Sequence, residues 1–211
     1  MLRIIAGEFR GRKLLAPPGL ETRPLPDRIK QSLFDWLGQS CDGWKVADVC
    51  AGSGSFGCEA LSRGAADVHL IESGRHAISI LQANHRALGA PAGLHLHARQ
   101  FQQVLPTLSG LDLIFADPPF PWFVDQPETL GELLRLAMAA MSSKGRLVIR
   151  GERGHDLPSL PPGLRESERR FYGRSWVVVL HRVPHAPLPR HEIGSAMVPT
   201  ARLSEDLPQV E

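Results

Sequence analysis

The chain has 211 residues, of which 43% are hydrophobic and 22% charged, and its formal net charge is +2. This length suits one domain with a sizeable core, and the average composition excludes neither an enzyme nor a binding module. No apolar run approaches the roughly 20 residues that span a bilayer, and the N-terminus lacks the apolar core of a signal peptide, which predicts a cytoplasmic protein without a membrane partner.

The N-terminal segment is basic and irregular. Residues 1–30 hold seven Lys/Arg against three Asp/Glu. Residues 1–26 are too rich in Gly, Pro and Arg for a regular helix, although Arg3 to Ala6 and Lys13 to Leu15 are apolar enough for a short strand or hairpin. The sequence therefore predicts a basic arm over residues 1–26, attached to the main body.

A helix is predicted to follow the arm. Asp27 is a suitable N-cap, and Ile29, Leu33, Trp36 and Leu37 recur at helical spacing. This helix should pack one face on the core.

Strand-like and helix-like runs alternate from Lys45 to Arg150. The predicted strands are KVADVC, DVHLIE, GLHLH, LDLIFAD and GRLVIR, and the predicted helices are residues 56–63, 75–88, 100–108 and 128–141. Because parallel neighbours need long crossover connections, this order predicts a parallel sheet with helices on both faces. The runs LRESERRF and SWVVVLHR flank the turn-like YGR and predict an antiparallel pair that completes a domain over residues 27–183. Residues 184–211 carry five prolines and little apolar content, which predicts a disordered tail.

A glycine loop follows the first strand of the alternating region. Gly52, Gly54 and Gly57 stand between this strand and the next helix, and Glu72 ends the following strand. Glycines there allow a tight turn and let a ligand lie against bare backbone at a helix N-terminus. A carboxylate at the position of Glu72 can accept two hydrogen bonds from ribose hydroxyls. The pattern predicts an adenosine-containing cofactor, with NAD, FAD and S-adenosylmethionine (AdoMet) all open.

Asp48 favours AdoMet among these cofactors. It stands four residues before the first glycine of the loop, where a dinucleotide would place negative phosphates and AdoMet would place its ammonium and sulfonium groups. A carboxylate suits the cationic ligand. The alternative is that Asp48 bonds local N–H groups and only caps the loop.

The motif DPPF ends the fourth strand with residue types that do not suit the middle of a sheet. Asp117 should lie at the ligand-binding edge, on the same rim as the glycine loop. Asp117 and the carbonyl of Pro118 are two acceptors for the N–H groups of an exocyclic amine, and Phe120 offers a face on which a flipped-out base can stack. The alternative is an Asp-Pro turn in which Phe120 fills the core.

The cysteines and histidines do not predict a metal site. Cys41, Cys50 and Cys58 have neither a CxxC spacing nor a nearby histidine pair at ligand spacing, which argues against disulfides and zinc. His95 and His97 would share one strand face, but surface histidines are the favoured interpretation. The sequence predicts reduced thiols and no metal.

DVCAGSGSFG, Glu72 and DPPF together resemble the class I AdoMet-dependent methyltransferases that modify exocyclic amines. RIIAGEFRGRKL, RPLPDRIKQSLFDWL and FGCEALSRGA resemble, more specifically, the bacterial RsmD family of 16S ribosomal RNA guanine-N2 methyltransferases, from Arg3 to about Arg182. The resemblance implies a Rossmann-like, mostly parallel seven-stranded sheet whose last strand is antiparallel. It also implies AdoMet bound by Asp48, Gly52, Gly54 and Glu72, with guanine held by Asp117, Pro118 and Phe120.

The same resemblance implies that the partner is 16S rRNA within the small ribosomal subunit or an assembly intermediate. The basic arm fits an RNA substrate, because cations on it can reach phosphates with salt-sensitive affinity, although a solvated basic face is the alternative. The candidate phosphate contacts are Arg10, Arg12, Lys13, Arg23, Arg28 and Lys30.

Two departures from the family pattern affect the expected contacts. HARQ stands where related enzymes often have an acid or Asn against the adenine, so the expected adenine contacts are His97 and the backbone near Ala98. Leu25 replaces the usual Thr after RP, which leaves the details of the arm open.

Other functions also fit parts of the sequence. A nicotinamide oxidoreductase would share the glycine loop and Glu72 but does not account for DPPF, and a noncatalytic RNA-binding module would not need Asp117. Among methyltransferases, adenine N6 of nucleic acid and glutamine of a protein are alternative acceptors, because DPPF recognises a planar amine and not one base. A monomer is the expected state.

Overall fold

The structure is a computed structural model that describes residues 2–16 and 27–183. Its strands are β1 Leu2–Arg3, β2 Lys13–Leu14, β3 Lys45–Val49, β4 Asp67–Glu72, β5 Leu94–Ala98, β6 Leu111–Ala116, β7 Met141–Glu152, β8 Leu164–Tyr172 and β9 Ser175–Arg182. Its helices are α1 Asp27–Leu37, α2 Ser55–Ser62, α3 Arg75–Ala87, α4 Phe101–Val104, α5 Trp122–Asp125 and α6 Pro127–Ala140, with a 3₁₀ turn at Leu105–Thr107. The predicted tail and residues 17–26 of the predicted arm lie outside the described residues.

A seven-stranded sheet forms the centre of the molecule, in the order β5-β4-β3-β6-β7-β9-β8. The pairs β4–β5, β3–β4, β3–β6 and β6–β7 are parallel, whereas β9 pairs antiparallel with both β7 and β8. The expected sheet with an antiparallel last strand is therefore confirmed. The strand order reverses at β3, so the carboxyl ends of β3 and β6 meet at the switch point where open α/β sheets bind ligands.

Helices cover both faces of the sheet, as the alternating sequence predicted. Successive side chains of a strand point to opposite faces, so Val46 and Val68 pack with residues of α1, α2 and α3 on one face, named here the α1 face. Ala47 and Val49 pack with residues of α4, α5 and α6 on the other, named the α6 face. This alternation determines which side chains at the strand ends can meet.

The described part of the arm packs onto the α1 face. β1 and β2 pair antiparallel, and Leu2, Ile4 and Leu14 are buried in the same cluster as α1 and α2. The carboxylate of Glu59 accepts the backbone N–H groups of Ile5 at 2.8 Å and Ala6 at 3.0 Å. This segment is therefore anchored to α2 by hydrogen bonds as well as by apolar contact.

Several predicted elements differ in detail from the structure. Residues 100–108 form the short α4 and a 3₁₀ turn instead of one helix, because Pro106 has no N–H to continue the α-helical ladder. α5 was not predicted, since its four residues stand among prolines that favour a turn. α1 buries Lys30 and Phe34 beside Leu33 and Leu37, whereas Ile29 and Trp36 are only partly buried. Within the described part of the chain, no helix combines the length and apolar character needed to cross a membrane.

Candidate active site

The glycine loop joins β3 to α2 at the switch point of the sheet. Gly52 and Gly54 have φ values of 56° and 73°, in the left-handed region that favours glycine. A Cβ on Gly54 would lie 2.6 Å from Cδ1 of Leu81, whereas a Cβ on Gly52 would meet no atom within 4 Å. The loop therefore packs tightly on its inner side at Gly54 and presents open backbone at Gly52, where a ligand can approach.

Glu72 is held at the end of β4, beside this loop. Its carboxylate accepts the N–H of Gly52 at 2.8 Å, of Ser73 at 2.9 Å and of Gly74 at 2.8 Å. A carboxylate offers about four acceptor positions, so one remains for a ligand hydroxyl beside these three bonds. The structure thus brings together Gly52 and Glu72, 20 residues apart in the chain.

Asp48 lies under the glycine loop. Its side chain is buried, at 1% exposure, and its Oδ2 accepts the N–H of Gly57 at 2.9 Å. This is the capping contact that the sequence left open as the alternative. Burial raises the pKa of Asp48 well above its usual range, opposed by the N–H of Gly57 and reinforced by the negative charges of Asp117 and Glu72.

A cleft opens beside Glu72 at the carboxyl ends of β3, β4 and β5. Its lining includes Cys50, Ser73, residues 99–102 and Trp122 of α5. Cys50 has a φ of 58°, unusual for a residue with a Cβ, directly before the glycine loop. The residues of α5 and those directly after β5 were not predicted as site residues, although the position after a strand end was a usable signal.

His97 and Ala98, the expected adenine contacts, do not line this cleft. Nε2 of His97 lies 3.0 Å from Nδ1 of His69, within hydrogen-bond distance. Beside them, Nε2 of His95 lies 2.8 Å from Oδ1 of Asp67. Burial lowers the pKa of both His97 and His69. The ring of His97 is turned towards β4 and the lining of the cleft begins only at Arg99, so the adenine contacts of His97 and Ala98 stay a prediction. Across residues 2–16 and 27–183, no cluster of three or more His, Cys, Asp or Glu has the geometry of a metal site.

The DPPF segment begins beside the glycine loop. The N–H of Asp117 donates to the carbonyl of Val49 at 3.2 Å, which joins the end of β6 to the end of β3. The Asp117 side chain is 26% exposed and Pro118 is buried. Phe120 is partly buried against the α6 face. Burial raises the pKa of Asp117, and the nearby Arg150 opposes this rise.

Three carboxylates therefore surround the switch point of the sheet. Burial raises the pKa of the Cys50 thiol. The nearby negative charges of Glu72, Asp117 and Asp48 raise it further. The accumulated negative charge in a partly buried site favours a cationic ligand and disfavours a phosphate-bearing one. This donor set fits AdoMet better than a dinucleotide.

The predicted RNA contacts divide into three groups. Arg10, Arg12, Lys13 and Arg28 are exposed, as a phosphate contact requires. Lys30 is buried at 1% exposure, and its Nζ donates to the carbonyl of Arg3 at 2.7 Å and to Oγ of Ser55 at 3.0 Å. The expectation that Lys30 contacts RNA was therefore wrong. The sixth, Arg23, lies outside the described residues.

The chain matches one protein family over nearly all of its described length. Residues 2–181 match the family described as Conserved hypothetical protein 95. The chain belongs to this family. It is the RsmD family to which the sequence motifs pointed, so that identification is confirmed, and the RsmD-family chain is a methyltransferase with the Rossmann-like class I fold.

Curated relatives support this membership. YlbH of Bacillus subtilis (strain 168), provisionally named as an rRNA methyltransferase, is 29% identical over 184 residues, which cover 84% of this chain and 97% of YlbH. Ribosomal RNA small subunit methyltransferase D of Escherichia coli (strain K12) is 37% identical over 119 residues, or 56% of this chain. That alignment spans 60% of the E. coli protein, less than two thirds of its length.

Solved structures resemble the RsmD-family chain along most of its length. Protein TTHA0928 of Thermus thermophilus superposes with a TM-score of 0.69 at 29% identity, covering 87% of this chain and 100% of the other. TrmN from Thermus thermophilus superposes with a TM-score of 0.63 at 22% identity, covering 74% of this chain and 48% of TrmN. The second likeness is one of fold.

Proposed function

We propose that this chain transfers a methyl group from AdoMet to the exocyclic N2 amine of a guanine in small-subunit ribosomal RNA. The observation that carries the proposal is the hydrogen bond from the N–H of Asp117 to the carbonyl of Val49. It sets the start of DPPF directly beside the strand that leads into the glycine loop. Amine acceptors and cofactor loop then share one edge of the sheet, as a direct transfer requires.

The cofactor would be held by the glycine loop, Glu72 and the cleft beside them. Glu72 accepts a ribose hydroxyl at its remaining acceptor position, and the open backbone at Gly52 lets the ligand approach. Asp48 lies beneath the loop, where a cationic ligand would favour its ionised form. When bound, AdoMet supplies a methyl group on a sulfonium, which is an excellent leaving group. No metal or covalent enzyme intermediate is needed.

The acceptor amine would be held by the DPPF segment. The lone pair of an exocyclic amine is delocalised into the ring, so acceptors that bind its N–H groups must favour a pyramidal nitrogen. The carboxylate of Asp117 and the carbonyl of Pro118 are these acceptors, and Asp117 can take the proton released. Phe120 stacks on the extruded base, a contact worth about 1 to 3 kcal/mol in comparable single-stranded sites.

The substrate assignment draws on the family and the charge of the arm. The E. coli relative is named as a small-subunit ribosomal RNA methyltransferase. Arg10, Arg12, Lys13 and Arg28 are exposed cations on or beside the arm and suit phosphate contacts. We propose that residues 1–26 contact 16S rRNA, that residues 27–183 perform the transfer, and that the chain acts as a cytoplasmic monomer on the small subunit or its assembly intermediate.

The deciding experiment is transfer from methyl-labelled AdoMet to bacterial small subunits that lack the modification, followed by digestion and identification of the labelled nucleoside. The expected product is N2-methylguanosine. Label in N6-methyladenosine or in protein glutamine would overturn the guanine assignment and retain the amine chemistry. AdoMet binding without label in subunits or naked RNA would overturn the RNA substrate.

A further inference from the structure

Arg150 stands at the carboxyl end of β7, next to the motif that carries the proposed chemistry. Ala116 of β6 pairs with Ile149 of β7, so Asp117 and Arg150 follow these partners on neighbouring strands. Ala116 and Ile149 both point to the α6 face. By the alternation of a strand, the next residues Asp117 and Arg150 point together to the opposite side.

The Arg150 side chain contacts two of the proposed site residues. Its Nε lies 3.0 Å from Oδ1 of Asp117, with the two side chains 13% and 26% exposed. Its guanidinium carbon lies 5.2 Å from the ring centroid of Phe120, within the range of a cation–π contact. One cation thus bridges the acid and the aromatic of DPPF.

These contacts are not explained by the fold alone. Among the described residues, Nε of Arg150 is a buried donor without a hydrogen bond of good geometry, although the Asp117 carboxylate lies close to it. A buried guanidinium nitrogen without a directed partner costs stability, and the pairing of Arg150 with Val177 of β9 uses only its backbone and not its side chain. Unsatisfied buried groups are uncommon in folded proteins, and a role in a functional site is one explanation for them.

We propose that Arg150 is a positioning residue that holds the Asp117 carboxylate and one face of Phe120, so that the other face of Phe120 receives the base. This inference rests on the proposed function, because it assigns Arg150 a role in holding the acceptor amine. A planar guanidinium suits both contacts, since it pairs with a carboxylate and stacks on a ring, which an ammonium does less well.

The charge of Arg150 also affects the protonation of Asp117. Burial raises the pKa of Asp117, and Arg150 is the cation that opposes the rise. Asp48 and Cys50 at the end of β3 and Glu72 at the end of β4 are the other titratable groups near this carboxyl, and none of them is a cation. Removing the guanidinium should therefore raise the pKa of Asp117 further, leaving less of the ionised acceptor at a given pH.

The test uses the full chain with Arg150→Gln and Arg150→Lys, and Arg153→Gln as the matched control. Arg153 lies just beyond β7, is exposed, and stacks on Phe171. We expect Arg150→Gln to lower kcat on small subunits by about 10- to 100-fold and to move the acidic limb of the kcat profile to higher pH. Arg150→Lys should return the acidic limb of the kcat profile to its wild-type pH but restore only part of kcat. The AdoMet affinity of both Arg150 variants should stay near wild type. The kcat and pH profile of Arg153→Gln should also match wild type.

A second readout separates this inference from the proposed function. The Asp117 carboxyl can be titrated by NMR in the ligand-free protein, with Asp117→Asn to assign its signal, whatever the acceptor is. An upward shift of its pKa in Arg150→Gln is expected. An unchanged titration, or a kcat and pH profile equal to those of Arg153→Gln, would overturn the role of Arg150. If the wild-type chain itself did not methylate small subunits, the proposed function would be overturned and the role of Arg150 would be judged from the titration alone.

Discussion

The ammonium of Lys30 lies 3.2 Å from Oε2 of Glu59, and the two side chains are 1% and 0% exposed. Glu59 also pairs with Nε of Arg63 at 2.9 Å and accepts the N–H groups of Ile5 and Ala6. Burial lowers the pKa of Lys30, whereas Glu59 raises it. This pair links α1, α2 and the arm in one buried network, and Ser55 extends it to the end of the glycine loop.

Replacing Lys30 with Met should destabilise the protein strongly. Removing one partner of a buried ion pair leaves an incompletely compensated charge and costs about 3 to 5 kcal/mol. The free energy of unfolding from denaturant titration measures the loss. Lys13→Met is the matched control, because Lys13 is exposed on the same arm and should change stability by no more than about 0.5 kcal/mol. Equal effects of the two substitutions would show that the buried pair contributes little.

Asp117→Ala should lower turnover strongly and leave AdoMet binding nearly intact. The proposed partner of Asp117 is the acceptor amine, so a loss in kcat of about 100- to 1,000-fold is expected, comparable to the removal of an oxyanion donor. Rapid-quench transfer assays and calorimetric titration with AdoMet separate the two effects. Full activity of the variant would remove Asp117 from the mechanism.

Glu72→Ala should weaken AdoMet binding. The substitution removes the proposed ribose contact and also the acceptor for three backbone N–H groups of the surrounding loops. A hydrogen bond to a charged group is worth about 1.5 to 3 kcal/mol. Losing it should raise the Kd for AdoMet roughly 10- to 100-fold. Glu128→Ala, on the exposed first turn of α6, is the control. If the Kd of Glu72→Ala matched that of the control, the ribose contact would be refuted.

Asp48 should make the ligand-free protein less stable as the pH rises. Burial raises its pKa in the folded state, so the folded protein binds this proton more tightly than the unfolded chain does. The stabilisation is present at low pH and is lost as the pH rises through the folded-state pKa. Asp48→Asn cannot ionise but keeps an oxygen for the N–H of Gly57. It should raise the Tm at pH 8, and this gain should shrink as the pH is lowered.

The Tm of Asp48→Asn is compared with that of Asp125→Asn, which changes an exposed acid at the end of α5. A gain for Asp48→Asn that does not depend on pH would exclude ionisation of Asp48 as its cause.

Substituting Arg10, Arg12 and Lys13 with Gln together should lower RNA affinity and flatten its dependence on salt. Each phosphate contact that is lost removes about 0.7 to 0.9 from the slope of log K against log salt. A triple variant of exposed arginines elsewhere, Arg86, Arg135 and Arg165, has the same change of charge and serves as the control. If the arm variant kept the wild-type salt slope, the RNA surface would have to lie elsewhere.

The order of strands and helices followed from the sequence, because alternating apolar runs and turn residues report local structure and crossover length. Gly52 and Glu72 were also predictable, since both positions depend on local strand ends and a short loop. Lys30 was wrongly predicted to contact RNA, because it follows the basic arm and Arg28 in the sequence and so resembles another surface cation. Only the packing of α1 against α2 shows that Glu59, distant in sequence, neutralises it.

Arg150 was missed for a related reason. Its role depends on the register between β6 and β7, which sequence periodicity does not specify. The cleft residues after β5 were missed by one to four positions, because the prediction stopped at His97 and Ala98 and the strand direction carries the chain on to Arg99 before it meets the cleft.

The insertion of β9 between β7 and β8 affects how the chain is made on the ribosome. When β8 leaves the exit tunnel it has no neighbour with which to pair, and β7 still has an open edge beside it. Both edges are satisfied only when Ser175–Arg182 emerges and its buried residues, including Val177 and Val178, enter between them. The nascent chain therefore exposes two unpaired strand edges until β9 emerges, and unpaired edges are prone to aggregate.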